Sequence, residues 1–200
     1  MINLTAIREP AAVARLHVLD SLSAVKTLRE RGLDELLDLG SGGGFPGLPL
    51  AVALPASRGL LVDSIGKKAA FLETAVRAVG LERRVDVAPV RAETLAADGR
   101  QRERWPAVTA RAIGTLAELI ELAFPLIARG GALVAWKGGA LGAELVAAGR
   151  ALDALGGGRV ELVEARVEGL DGHRLAVVTK TGRTPRDYPR EPAERRQRPW

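Results

Sequence analysis

Apolar positions along this chain switch between two spacings. Val13, Leu16, Leu19, Leu22 and Val25 recur every three or four residues, as on one face of a helix, and predict a helix over residues 9–31. Short unbroken apolar runs predict buried strands over 35–39, 59–63, 85–90, 107–112 and 132–136. Helical spacing returns over 48–54, 67–79, 115–128 and 141–155, the last stopped by three glycines at 156–158. Beyond them, runs 160–167 and 174–180 read as two strands joined by Glu168-Gly-Leu-Asp-Gly172, with Gly and Asp where a hairpin needs them. Strand–helix repeats require right-handed crossovers and a parallel sheet, to which the hairpin adds an antiparallel strand. The pattern therefore predicts an α/β fold with a seven-stranded, mostly parallel sheet. It forms one domain over 1–182, with the N-terminal helix packed on it, followed by a basic Arg/Pro-rich tail over 183–200.

Composition narrows the chemistry. The 200 residues include no cysteine and two histidines, His17 and His173. Disulfides, Cys-ligated zinc, a thiol nucleophile and a His-rich metal site are thereby excluded. No apolar run approaches the roughly 18–20 residues of a membrane span. The first ten residues lack the pattern of a signal peptide, so a soluble, cytoplasmic protein is expected. Aromatic residues are 4% of the chain, too few for a stacking platform on single-stranded nucleic acid. The tail carries six arginines against three acids. Arginine grips phosphate as a planar fork, which suggests a polyanionic partner; a merely solvated tail is the other reading.

The densest signal is Asp38-Leu-Gly40-Ser-Gly42-Gly-Gly44-Phe-Pro46-Gly47, between a predicted strand and a predicted helix. Glycines there allow a tight turn and close approach of backbone to a ligand. Gly42, Gly44 and Gly47 fit the dinucleotide pattern G-x-G-x-x-G, with an acid, Asp63, further along. The same loop fits D-x-G-x-G-x-G from Asp38, a pattern for S-adenosylmethionine. Gly40 directly follows the strand, so the tight turn belongs there. Pro46 leaves the helix start without an N–H for a pyrophosphate. These features favour the methyl donor, and an NAD(P)-dependent reductase stays open as the second reading. Asp63 ends the second strand, where a carboxylate can accept both ribose hydroxyls. Arg111 ends the fourth, at the carboxyl edge where open α/β sheets bind ligands, and is read as a donor-site residue or an ion pair in the strand edge.

The words of the chain closely resemble a known family. Leu37-Asp-Leu-Gly-Ser-Gly-Gly-Gly-Phe-Pro-Gly-Leu-Pro-Leu50 and Val62-Asp-Ser-Ile-Gly-Lys-Lys-Ala-Ala-Phe-Leu72 are similar to those of the small-subunit ribosomal RNA guanine-N7 methyltransferases, RsmG or GidB. The resemblance continues colinearly through Asn3-Leu-Thr5, His17-Val-Leu-Asp-Ser-Leu22, Arg91-Ala-Glu93, Ala110-Arg-Ala112, Trp136-Lys-Gly138 and Tyr188-Pro-Arg190. It implies a Rossmann-like class I S-adenosylmethionine-dependent methyltransferase acting on N7 of a guanine in the 530 loop of 16S RNA. The family carries residues ahead of the Asn-Leu-Thr segment that help frame the substrate side; here that segment begins at position 3. If so, the chain is an enzyme; a non-catalytic RNA-binding remnant is the third reading.

The resemblance also implies site roles. Gly40 and Gly42 would cradle the donor, with Phe45 over it near Gly40. Ser64 and Ile65 would line the adenosine pocket, and Ala92 and Glu93 would lie against the adenine. No general base is assigned, because guanine N7 has an exposed lone pair and loses no proton before attack. Lys67, Lys68, Lys137, Arg186 and Arg190 are candidates for RNA phosphate. The tail is expected to grip RNA without touching the donor pocket, so a cut after Gly182 should spare donor affinity. His17 and Asp20 form a structural or substrate-side pair, and no metal site is expected. The partner implied is 16S rRNA in the small ribosomal subunit or an assembly intermediate, with the protein a monomer.

Overall fold

The computed structural model describes residues 9–139, 141–165, 167, 170 and 172–200. Asn3, Leu4, Thr5 and most of the 168–172 turn lie outside them. Seven strands form one sheet: β1 (Glu35–Leu39), β2 (Arg58–Val62), β3 (Val85–Ala88), β4 (Trp105–Arg111), β5 (Ile127–Lys137), β6 (Gly158–Glu164) and β7 (Arg174–Lys180). Their order is β3-β2-β1-β4-β5-β7-β6. The first five run parallel, and β7 pairs antiparallel with both β5 and β6, as the closing hairpin requires.

Side-chain alternation divides each central strand between two apolar layers. Leu37, Leu39, Val108, Ala110, Leu133, Ala135, Ala176 and Val178 enter one. Leu36, Ala107, Ala132, Val134, Trp136, Leu175 and Val177 enter the other. Helices α7 (Leu116–Ala123) and α8 (Gly142–Ala154) cover the first layer. Thr115 starts α7 with a capping box, its hydroxyl accepting from the Glu118 N–H while the Glu118 carboxylate accepts from the Thr115 N–H. On the other layer pack α3 (Val25–Glu30) and α4 (Gly47–Ala53), through Leu28 and Leu50. Helix α5 (Gly66–Ala78) buries Leu72 and Val76 beside β2 and β3.

Three local departures from the sequence pattern have physical causes. The expected helix over 9–31 is α1 (Pro10–Val13), a π-helical stretch (Ala14–Leu19), α2 (Asp20–Leu22) and α3. Two carbonyls of the π stretch, Leu16 and His17, accept from Arg111. The helix expected over 115–128 stops at Ala123, and β5 starts at Ile127, earlier than its apolar run. Gly131 makes this entry fit: a Cβ there would stand 2.6 Å from the Pro106 carbonyl oxygen, where the β4–β5 register shifts. Helix α6 (Ala92–Ala97), after β3, is too short to show a helical period.

Residues 183–200 are no appendage. Arg102 donates to the carbonyl oxygens of Pro185 at 2.8 Å and Tyr188 at 3.0 Å. The Tyr188 and Trp200 rings stack with centroids 6.0 Å apart and pack on the α7 layer. Arg190 and Trp200 both bond the fully buried Glu121 of α7, at 2.6 and 2.7 Å. Residue 182 marks a change in composition and not an edge of the packed body.

Candidate functional site

The carboxyl ends of β1, β2 and β4 hold the glycine loop in place. Asp38, 1% exposed, accepts from the Thr109 hydroxyl at 2.7 Å and from the Gly47 N–H at 3.1 Å. Burial pushes its pKa up to about 6, against the pull of those hydrogen bonds and Arg111. Ser41 N–H donates to the Val62 carbonyl at 2.9 Å, tying the loop to β2. Gly40 turns the chain with φ +64°, and a Cβ there would meet Ile113 Cδ1 at 2.3 Å. The turn requires glycine, and a Cβ there would also displace the Ile113 side chain.

Asp63, just past β2, bridges the loop and the start of α5. Its Oδ2 accepts from Gly42 N–H at 3.0 Å and its Oδ1 from Ile65 N–H at 2.9 Å. A cavity of about 660 Å³ opens on one side, lined by Phe45, Ile65, Arg111 and Trp136. A recess of about 220 Å³ lies on the other, lined by Ala92, Glu93, Leu119 and Leu122. Gly40, Asp63 and Ser64 line both, so the two form one trough with the carboxylate at its waist.

The far wall of the larger cavity is a charged and aromatic cluster. Arg111 donates to Asp20 Oδ2 at 2.9 Å, and its Nη2 lies 3.1 Å from His17 Nδ1. Burial, then the Arg111 charge, push the His17 pKa below its ordinary value. A neutral imidazole accepts from Arg111 at that nitrogen. The His17 ring stacks on Phe45 with centroids 5.0 Å apart. Asp20, 3% exposed at its side chain, also faces His173 Nδ1 at 3.4 Å, while its carbonyl accepts from Trp136 Nε1 at 2.8 Å.

Residues 1–171 match the family described as rRNA small subunit methyltransferase G, GidB. Similar curated proteins carry the name ribosomal RNA small subunit methyltransferase G. That of Roseiflexus castenholzii is 40% identical over 189 residues, 94% of this chain and 80% of the relative. That of Clostridium novyi is 35% identical over 199 residues, 99% of this chain and 82% of the relative. The chain belongs to the GidB family.

Solved structures share the fold of this GidB protein. An O-methyltransferase from Thermotoga maritima matches with TM-score 0.59 at 16% identity, over 90% of this chain and 69% of that one. TYW2 from P. horikoshii, in complex with MeSAdo, matches with TM-score 0.61 at 15% identity, over 86% and 62%. The reductase reading of the glycine loop is not favoured.

The GidB trough gathers the residues expected to hold the donor. Phe45, Ile65 and Arg111 line the larger cavity, with Gly42 in the loop beside it. Ala92 and Glu93 line the recess, and Gly40, Asp63 and Ser64 the waist. Arg111 lines the cavity and is ion-paired with Asp20. The His17–Asp20 pair also lines the cavity, and Trp136 and His173 join them through the fold alone. Among the described residues no group of acids and histidines has metal-site geometry, and no helix is long and apolar enough to cross a membrane.

The cations expected on RNA are less uniform. Lys67 and Arg186 are exposed, and Lys68 stands 3.9 Å from Asp63. Lys137 is turned inward, 10% exposed, between the Gly114 carbonyl at 2.9 Å and Glu144 at 2.8 Å. There it clamps the loop after β4 to α8. Arg190 is turned inward onto Glu121. Nor is the tail remote from the trough: Arg195 of α9 (Pro192–Gln197) lines the recess and pairs with Glu93. A cut after Gly182 therefore removes part of the trough's wall.

Proposed function

We propose that this protein transfers the methyl group of S-adenosylmethionine to N7 of a guanine in the 530 loop of 16S ribosomal RNA. Its partner is the small subunit or an assembly intermediate, and it works as a monomer in the cytoplasm. The names of the GidB relatives support the substrate class. The observation that carries the reading is the trough itself, with Asp63 where a ribose would lie between an apolar base recess and the Phe45–Arg111 wall.

The residues present fit that donor. Asp63, aligned by two backbone N–H groups, accepts from ribose hydroxyls, and Gly40 and Gly42 keep side chains out of the way. Bound there, S-adenosylmethionine supplies an electrophilic methyl on a sulfonium. His17, its pKa lowered by burial and the Arg111 charge, stacks on Phe45, and the Arg111 guanidinium lies over the same ring, so this wall would offer the donor an aromatic surface. Asp38 is no base: both its oxygens are taken, and it sits under the loop. Guanine N7 asks for none, so the protein's work is alignment and exclusion of water.

The test is incubation of the protein with radiolabelled donor and either 30S particles or free 16S RNA. Label entering the RNA is expected. A folded protein that binds donor and RNA yet transfers nothing is a non-catalytic remnant, and the proposal is then wrong.

A further inference from the structure

Glu93 does not stand alone in the base recess. Arg195 Nη2 donates to Glu93 Oε1, and Arg195 Nη1 donates to the Arg190 carbonyl oxygen. The Arg195 and Glu93 side chains are 14% and 13% exposed. Arg190 is fixed in turn, through its guanidinium and its backbone N–H, by the fully buried Glu121. Glu93 is thus linked through the C-terminal segment to an anchor inside α7.

A carboxylate held at one oxygen by arginine keeps its other oxygen as an acceptor of defined direction. The pairing also relieves the cost of a mostly buried negative charge. Val90, Ile113, Leu119 and Leu122 give the recess apolar sides, so orientation of a flat base there falls to few polar atoms. A purine with an amine at C6 meets such an acceptor favourably. One with a carbonyl at C6 sets oxygen against oxygen.

We propose that Arg195 is a positioning residue that sets the donor-site preference for adenine over hypoxanthine, by holding Glu93 toward the C6 substituent of the base. The proposal rests on the reading that the trough binds S-adenosylmethionine.

Calorimetry with S-adenosylhomocysteine and S-inosylhomocysteine tests it, on the full chain and on Arg195→Ala, Arg195→Lys and Glu93→Gln. The parent should prefer the adenosyl ligand by about tenfold, the worth of one well-placed hydrogen bond. In Arg195→Ala the adenosyl affinity should fall about tenfold while the inosyl affinity holds, so that the preference collapses. Arg195→Lys should restore part of it. Unchanged preference in Arg195→Ala, or an equal loss for both ligands, overturns the proposal, since a merely structural role weakens both alike. If Arg195→Ala does not fold, Glu93→Gln decides: a preference that survives there removes Glu93, and Arg195 with it, from base selection. A parent chain that binds neither ligand contradicts the donor reading instead.

Discussion

Arg111 and Asp20 form an ion pair 2.9 Å long at the wall of the trough, their side chains 14% and 3% exposed. It joins the last residue of β4 to α2, 91 positions earlier in the chain. Truncating one partner strands the other in a buried place, at a cost of about 3–5 kcal/mol. Arg111→Ala should lower the unfolding free energy by that order in denaturant titration, and should weaken donor binding through loss of the His17 and Phe45 support. Arg111→Lys should not rescue it, because a point ammonium cannot serve Asp20, His17 Nδ1 and two carbonyls together.

Asp63→Ala removes a charged acceptor for the ribose, an interaction worth about 1.5–3 kcal/mol. Donor affinity measured by calorimetry should fall roughly ten- to hundredfold. The variant also frees the Gly42 and Ile65 N–H groups, so a lower melting midpoint should accompany the loss. A folded variant with parental affinity removes Asp63 from the ribose site.

Asp38 makes stability depend on pH in the sense opposite to a salt-bridged acid. Its folded pKa, about 6, lies above the unfolded value near 3.8, so the native state holds the proton more tightly. Its contribution is complete below the unfolded pKa and is lost as pH rises from about 4 to about 6. Unfolding free energies of the parent and Asp38→Asn, measured across that range, should diverge in favour of the variant as pH rises. A constant difference would show that Asp38 is ionised throughout.

Glu121 works in the other direction. Burial alone would raise its pKa, but hydrogen bonds from Arg190 and Trp200 hold it below the usual carboxylate range. Its contribution is present above the unfolded pKa, near 4.5, and is lost as pH falls through the lower folded value. The acid limb of the stability profile should flatten in Glu121→Gln. Cutting the chain after Gly182 should destabilise the protein and weaken donor binding, because Glu121 loses both partners and the recess loses Arg195. A truncated chain with parental stability and donor affinity would return the tail to the status of a solvated appendage.

What the sequence made legible was local chemistry. The glycine loop shows because a turn, a close approach and an anchor at Asp38 all fall within ten positions. Asp63 shows because it ends an apolar run, and the hairpin because β6 and β7 follow one another without a helix. The tail's partners are not legible because they are distant: Arg190 meets Glu121 across 69 positions and Arg195 meets Glu93 across 102. By composition these arginines look like phosphate ligands. The partners of Lys137 are hidden for the same reason, since its acceptors at Gly114 and Glu144 come together only when β4 and β5 pair. His173 is an ordinary polar residue until the fold sets it beside Asp20, and Asp20, which the sequence pairs with His17, finds Arg111 only across 91 positions.

The most direct test of the account is the position of the transferred methyl group. Reduction of the methylated 16S RNA with borohydride and treatment with aniline break the strand only where a guanine carries a methyl at N7. The account predicts one protein-dependent scission in the 530 loop, absent without donor. Labelled RNA that resists scission, or breaks elsewhere, would contradict it.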